Sequence, residues 1–188
     1  MADQLSLLDA PQFIDCLLVA LLPPANEADQ IDKIRSLLIK QNRSTGYVQK
    51  RPHLTMHHVG DFDRVPDSVV KTATDALVAV KAAPFDISFD CAMSFNNGKN
   101  NPFVMRASGD LSALSSLHRQ LGDTLKKAGL GRHVSSTFTP HMTLHYDHRV
   151  FPEQTINTVS WTVTDFVLVN SRQGKGEHIH LARFPLRG

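Results

Sequence analysis

The hexapeptide Pro52-His53-Leu54-Thr55-Met56-His57 returns later in the chain as Pro140-His141-Met142-Thr143-Leu144-His145, with only the two apolar residues exchanged. The two copies lie 88 residues apart (141 − 53) in a chain of 188 residues. A single His-x-Thr triplet carries no information in a chain with 10 histidines. Two such triplets that are each preceded by a proline and followed, two residues later, by a histidine are not readily explained by chance. An internal repeat of this kind predicts a chain of two related halves, each contributing one copy.

Each copy has the alternation of a β-strand. Successive side chains of a strand point to opposite faces, so the two histidines and the threonine of each copy are expected on one face and the apolar residues in the core. If the two strands lie side by side, two imidazoles and two hydroxyls converge on a space the size of a phosphate.

These side chains suit the opening of a cyclic phosphodiester. The reaction needs a base that deprotonates water and an acid that protonates the departing ribose oxygen, and imidazole supplies both forms near neutral pH. Hydroxyl groups can donate to the non-bridging oxygens, which gain charge in the transition state. We therefore predict His53 and His141 as the acid/base pair and Thr55 and Thr143 as phosphate donors, in a scheme that requires neither metal nor cofactor.

The second histidine of each copy has two interpretations. His57 and His145 either line the substrate pocket or join the first pair in a four-imidazole zinc site. Pocket lining is favoured, because threonine at a site-facing position is a poor zinc ligand. Three further residues are predicted to bind substrate: Arg172 as a phosphate clamp, Ser171 beside it, and Phe138 as a surface on which a base stacks.

The rest of the chain predicts a mixture of strands and helices. A continuous apolar run at residues 13–22 indicates a strand buried on both faces. Apolar residues at helical spacing predict three amphipathic helices within residues 31–38, 66–80 and 110–129. Alternation predicts one hairpin from strands 85–95 and 103–107 and another from strands 161–171 and 179–184. His178 and His180 are interpreted as the solvated side of that last strand.

We expect a monomeric protein, and its cysteine usage favours the cytoplasm. The formal net charge of +2 does not provide the broad basic surface that binds duplex nucleic acid. Cys16 and Cys91, the two cysteines, lie in apolar strand-like runs, which predicts free thiols rather than a disulfide framework. The first ten residues lack a basic n-region, and no apolar run reaches the roughly 18 residues of a membrane span. We therefore expect no membrane partner.

The paired motifs resemble those of the 2H phosphoesterase superfamily, whose signature is two His-x-Thr/Ser motifs flanked by apolar residues. His53-Leu54-Thr55 and His141-Met142-Thr143 match that signature. The opening strand that ends in Leu22-Pro23-Pro24, the run at 138–144 and Val169-Asn170-Ser171-Arg172 are similar to the LigT-like branch, described as RNA 2',3'-cyclic phosphodiesterase or 2'-5' RNA ligase.

The resemblance implies an α+β fold with two lobes related by a pseudo-twofold axis, in which two antiparallel-rich sheets surround a central cleft and helices lie outside. Residues 1–11 are then an N-terminal arm and residues 12–188 a single bilobal domain. It also implies hydrolysis of a 2',3'-cyclic phosphate on RNA or a nucleotide to a 2'-phosphate, with 2'-5' RNA ligation as the reverse activity. By the same resemblance His53 is favoured as the acid and His141 as the base.

Other functions and one further partner stay open on the sequence. A small cyclic phosphate such as ADP-ribose 1'',2''-cyclic phosphate fits the near-neutral charge, and a non-catalytic RNA- or metal-binding module is an alternative of another class. Residues 4–9, Gln4-Leu5-Ser6-Leu7-Leu8-Asp9, are similar to the short motif by which bacterial proteins dock in the groove of the DNA sliding clamp. Packing of this segment on its own domain is the favoured alternative.

Overall fold

The computed structural model describes residues 14–188. They form eight strands, three α-helices and a short 3-10 helix before the second motif. The strands are β1 (Asp15–Leu21), β2 (Leu54–Phe62), β3 (Phe85–Ser94), β4 (Asn101–Ser108), β5 (His141–Asp147), β6 (Gln154–Val163), β7 (Asp165–Arg172) and β8 (Glu177–Pro185), and the helices are α1 (Ala25–Gln41), α2 (Asp67–Leu77) and α3 (Ser112–Lys127). The predicted N-terminal arm and its clamp-like segment, residues 4–9, lie outside the described residues.

The eight strands of residues 14–188 form one antiparallel sheet in the order β6-β3-β4-β5-β2-β1-β7-β8. Its two halves of four strands meet at a single residue pair, Leu54 of β2 opposite Met142 of β5. The predicted α+β class with an antiparallel-rich architecture is confirmed, and the two expected sheets are joined edge to edge. The motif strands β2 and β5 are therefore neighbours at the centre of the sheet.

The two halves are built in the same way around their motif strands. β2 follows β1 and α1, and β5 follows β4 and α3. Each motif strand returns antiparallel to the strand that precedes its helix. The duplication seen in the sequence thus extends to a strand–helix–strand unit in each half.

One side of the sheet, which we call the helix face, carries the hydrophobic core together with side chains of all three helices. Four leucines of α3 are each at most 1% exposed: Leu114, Leu117, Leu121 and Leu125. Their burial contributes roughly 6–12 kcal/mol relative to exposed side chains. Gly129, with a φ of 78°, follows the last turn of α3 and ends it as predicted. No helix within residues 14–188 has the length and apolarity to cross a membrane.

The predicted hairpin with the last strand forms between β7 and β8. Its first strand does not extend back to residue 161, because the chain breaks into two strands at Thr164. β6 pairs with β3 at one edge of the sheet, whereas β7 pairs with β1 and β8 in the other half. The chain therefore crosses from one half to the other at Thr164. The sequence marks this crossing only by two consecutive polar residues, Thr164 and Asp165, since no Gly or Pro lies at the turn.

Candidate active site

The pairing of β2 with β5 brings the two His-x-Thr motifs together. Leu54 and Met142 face each other on the helix face, and neither is exposed. Residues on either side of them point to the opposite face of the sheet, which we call the cleft face. In antiparallel geometry, one step in each direction from the Leu54–Met142 pair places His53 opposite Thr143 and Thr55 opposite His141. Each histidine thus lies beside the threonine of the other motif.

The rings of His53 and His141 are held by equivalent hydrogen bonds. Nδ1 of His53 lies 2.8 Å from the carbonyl oxygen of Arg51, and Nδ1 of His141 lies 2.7 Å from that of Thr139. A carbonyl only accepts, so Nδ1 must carry the proton in both rings. Nε2 is then a lone pair in the neutral ring and an N–H donor in the charged ring. Both rings are consequently set to exchange a proton through Nε2.

The surroundings of His53 favour its neutral form. Burial lowers the pKa of His53 below the ordinary 6.5, the hydrogen bond to Arg51 raises it, and the charge of His141 lowers it. The last effect means that the two rings are close enough for the charge on one to disfavour the charge on the other. A singly protonated pair is therefore favoured over a doubly protonated one.

The side chain of His178 covers His53, which the sequence did not indicate. The two rings are in edge contact, with centroids 4.9 Å apart. Burial, the charge of His53 and then the charges of Arg51 and His180 lower the pKa of His178 to about 4. His178 is hence neutral at neutral pH and forms a wall on one side of the His53 ring, and its interpretation as a solvated residue is wrong.

A cavity of about 430 Å³ opens beside His53 and His178. Ser171 is one of the residues that line it. Two tyrosines, Tyr47 and Tyr146, stand at its wall with ring centroids 6.4 Å apart. This volume lies in the range of small-molecule sites in proteins.

His141 is flanked on the other side by an aromatic ring and a cation. The ring of Phe95 meets the ring of His141 edge-on, at a centroid distance of 5.0 Å. Arg106 of β4 lies directly opposite His141 of β5, and facing residues of paired strands have their Cβ atoms about 4.5–5.5 Å apart. The guanidinium of Arg106 lies 3.8 Å from a carboxylate oxygen of Glu153, and the Arg106 side chain is 42% exposed. It therefore retains capacity for a phosphate.

His57 does not line the cleft, and its predicted role is wrong. Met56 is an extra residue in β2, because Ala20 pairs with Thr55 while the next residue of β1, Val19, pairs with His57. Such a bulge moves every following side chain to the other face. His57 is 3% exposed on the helix face, where its Nε2 lies 2.7 Å from the carbonyl oxygen of His118.

A bulge in β5 likewise turns the side chain of His145 away from the cleft face. Val104 pairs with Thr143 and the neighbouring Phe103 pairs with His145, so Leu144 is the extra residue. His145 is fully buried, and neither ring nitrogen has a hydrogen-bond partner within residues 14–188. Since the second histidines face away from the first pair, the four-imidazole zinc site of the alternative interpretation does not form.

Two further substrate contacts require correction. The ring of Phe138 is stacked on His118 at 4.0 Å and lines a separate cavity with His57, so it does not offer a surface for a base in the cleft. Arg172 borders the cavity next to His53, but its guanidinium is bound by Glu177 at 3.0 Å and by Asp15 at 3.5 Å. These carboxylates neutralise the cation expected to clamp a phosphate.

Sequence comparison identifies one family. The profile of the 2'-5' RNA ligase superfamily matches residues 22–175. A search of curated proteins found no match.

Solved structures share the fold over nearly the whole chain. Escherichia coli LigT in its apo form superposes with a TM-score of 0.74 at 21% identity, covering 94% of this chain and 99% of LigT. The same protein in complex with 3'-AMP gives a TM-score of 0.72 at 21% identity, with coverage of 94% and 99%. The protein TT0787 of Thermus thermophilus gives 0.74 at 21% identity, with coverage of 92% and 98%.

Proposed function

The chain belongs to the 2'-5' RNA ligase superfamily, and from this we propose that it hydrolyses 2',3'-cyclic phosphates on RNA ends or nucleotides with His53 and His141 as a metal-independent acid/base pair. The observation that carries the proposal is the duplicated arrangement of the site. Each motif supplies one histidine anchored through Nδ1, and the two motif strands are adjacent in the sheet.

The proposed reaction is a single displacement at phosphorus. Nε2 of His141 accepts a proton from water as the water oxygen bonds to phosphorus. The bond from phosphorus to O3' breaks, and Nε2 of His53 donates its proton to O3'. The products are a 2'-phosphate and a free 3'-hydroxyl, and proton exchange with solvent returns the two rings to their starting states.

Substrate binding supplies the charge state that this scheme needs. Burial holds His53 largely neutral in the free protein, whereas an acid must carry a proton. The anionic phosphate beside the ring favours the imidazolium and raises the pKa of His53 in the complex. The substrate therefore helps to protonate the group that cleaves it.

Three further side chains stabilise the phosphate in this proposal. Thr55 and Thr143 donate to the non-bridging oxygens, since each lies beside the histidine of the other motif on the cleft face. Arg106, opposite His141, supplies the positive charge that was first assigned to Arg172. Donors fixed in advance stabilise developing charge without reorganising during the reaction.

The cavity beside His53 supports a nucleoside as the group attached to the cyclic phosphate. Its volume of about 430 Å³ suits a ligand of that size. Tyr47 is 65% exposed and stands near Tyr146 at the cavity wall, so an aromatic base can stack there. A fold neighbour, E. coli LigT, forms a complex with 3'-AMP.

A substrate comparison tests the proposal. RNA ending in a 2',3'-cyclic phosphate, a 2',3'-cyclic mononucleotide and ADP-ribose 1'',2''-cyclic phosphate are each incubated with EDTA-treated protein, and the products are resolved by chromatography. We expect the first two to yield 2'-phosphates with EDTA present. Turnover of the ADP-ribose compound alone would assign the small-molecule alternative, and loss of all turnover on chelation with recovery on adding zinc would overturn the mechanism.

The reverse reaction has its own assay. An RNA with a 2',3'-cyclic phosphate and a second RNA with a free 5'-hydroxyl are mixed at high concentration, and a 2'-5' linkage is detected by its resistance to ribonucleases specific for 3'-5' bonds. We propose ligation as a minor activity, because the same two rings serve the reaction in both directions. Hydrolysis without ligation would restrict the function to phosphodiester opening.

A further inference from the structure

A cluster unrelated to the histidine pair lies on β1 and β2, where Cys16, His58 and Asp61 meet. Asp61 pairs with Cys16, and His58 pairs with Leu18. His58 and Asp61 are three residues apart, so a regular strand would direct them to opposite faces. Val59 is an extra residue between His58 and Gly60, and this second bulge of β2 returns both side chains to the cleft face.

The three side chains direct their polar atoms at one another. Nε2 of His58 lies 2.9 Å from Oδ1 of Asp61, and the thiol of Cys16 is also hydrogen-bonded to Asp61. One ligand atom from each residue lies within 4.8 Å of the other two. Because a carboxylate only accepts, the thiol proton and a ring proton both point at Asp61. A cation placed between the three groups would take the position of these protons.

We propose that Cys16, His58 and Asp61 bind a zinc-type divalent ion at a site separate from His53 and His141. A thiolate, an imidazole and a carboxylate are the three ligand types that zinc takes in proteins. The thiolate and carboxylate together cancel the two positive charges of the ion. Magnesium and calcium are disfavoured, since they take oxygen ligands.

Binding replaces hydrogen bonds by metal bonds in a balanced way. The S–H bond of Cys16 gives way to an S–metal bond, and the thiol proton passes to solvent. The ring proton of His58 moves to Nδ1, which leaves Nε2 free as a ligand. No electron is transferred, and no other reactant is needed.

The position of the cluster suits an exchangeable ion. The Cys16 side is buried, with 7% of the residue exposed, while the side chain of Asp61 is 51% exposed and gives a path from solvent. Three protein ligands leave a fourth position for water or for His133, whose ring lies 5.0 Å from that of His58. Cys16 also lines the cavity beside His53, so a bound ion would sit next to the substrate site.

Cobalt titration of the full chain tests this site directly. Co²⁺ is added to chelator-treated protein, and absorption is recorded from the near ultraviolet to the visible. We expect a thiolate-to-cobalt charge-transfer band that saturates at one equivalent and disappears when Zn²⁺ is added. Cys16→Ser should abolish the band, and Asp61→Asn and His58→Gln should each weaken zinc binding by at least about 100-fold, since even indirect partners of metal ligands are worth 10 to 100-fold.

Matched variants separate this site from other thiols and histidines. Cys91→Ser removes the other free thiol, and Asp63→Asn removes the same charge two residues from Asp61; both should leave the band unchanged. His53→Ala should also retain it. Absence of a charge-transfer band, or its loss in Cys91→Ser with retention in Cys16→Ser, would overturn the proposal. The readout is metal binding rather than turnover, so the result does not depend on the proposed hydrolysis.

Discussion

His53 and His141 are anchored in the same way, each through Nδ1 to the carbonyl oxygen two residues earlier, at 2.8 and 2.7 Å. The equivalence follows from the repeat, since each histidine enters its strand from the same Pro-His corner. Because the two rings have the same tautomer and lie on the same face, only their surroundings can decide which is the acid and which is the base.

Each histidine of the pair should be indispensable. His53→Ala and His141→Ala are each expected to lower kcat/KM for a 2',3'-cyclic mononucleotide by about 10²–10⁴-fold, and the double variant should be little worse than either. Steady-state rates measure this, with circular dichroism as the check on folding. His180→Ala, which removes an exposed histidine of β8, serves as the control. Additive losses in the double variant would contradict a concerted pair.

The acid can be identified with a better leaving group. A substrate with sulfur in place of O3' expels a thiolate, which needs less help from an acid because thiols have a pKa near 8.5. His53→Ala should therefore recover most of its lost rate on the sulfur substrate, while His141→Ala should not. Recovery by His141→Ala instead would reverse the two roles.

The two threonines should contribute through charge stabilisation. Thr55→Val and Thr143→Val keep the shape of the side chain and remove the hydroxyl, and each is expected to reduce kcat by about 10²–10³-fold with little change in KM. Single-turnover rates at saturating substrate measure the chemical step. A rise in KM at unchanged kcat would mean that the hydroxyls bind the substrate and the transition state equally.

The rate should depend on pH through the protonation of both rings. Activity is lost when both rings are charged, so kcat/KM falls as the pH drops through the pKa of the more acidic ring. Burial lowers the pKa of His53, which places this acidic limb below pH 6.5. The bound phosphate raises that pKa, so the corresponding limb of kcat should lie at higher pH.

The wall formed by His178 gives this pH profile a specific test. His178→Ala opens His53 to water and relieves the burial that lowers its pKa, so the acidic limb of kcat/KM should move up towards pH 6.5. His180→Ala on the same strand should leave the limb in place. An unmoved limb in His178→Ala would show that His178 does not control the protonation of His53.

Packing around the bulge of β2 should be sensitive to one methyl group. A Cβ added at Gly122 would lie 3.1 Å from Cε1 and Nε2 of His57 and equally close to Cγ1 of Val134. Alanine gains up to about 1 kcal/mol in helix propensity, but overpacking costs about 1–3 kcal/mol, so Gly122→Ala should lower the free energy of unfolding in urea. In a His57→Ala background only the contact with Val134 remains, so the same substitution should cost less free energy of unfolding than it does with the ring present. Stabilisation by Gly122→Ala alone would contradict the close packing.

The sequence predicted those parts of the site that depend on local periodicity. The two His-x-Thr strands, the stripe of α3 and the β3–β4 hairpin follow from patterns within one segment. The positions of His57 and His145 could not be predicted in this way. A one-residue bulge after each His-x-Thr motif moves the following side chains to the other face of the sheet, and it leaves no trace in an alternating pattern. His178 and Arg106 were also missed, since their proximity to His53 and His141 depends on the pairing of distant strands.

The order of the strands affects how the protein folds during its synthesis on the ribosome. Strands β3 to β6 are continuous in the chain and can pair as soon as they emerge. β1 and β2 can also pair with each other early, but the other edge of β1 stays unpaired until β7 emerges. The hydrogen bond between Asp15 and Asn170 spans 155 residues. Domains form during synthesis as their segments become available, so the half that holds His53 closes late. Until then β1 presents an unpaired edge that can pair with other chains, so the nascent chain is exposed to aggregation before the site is complete.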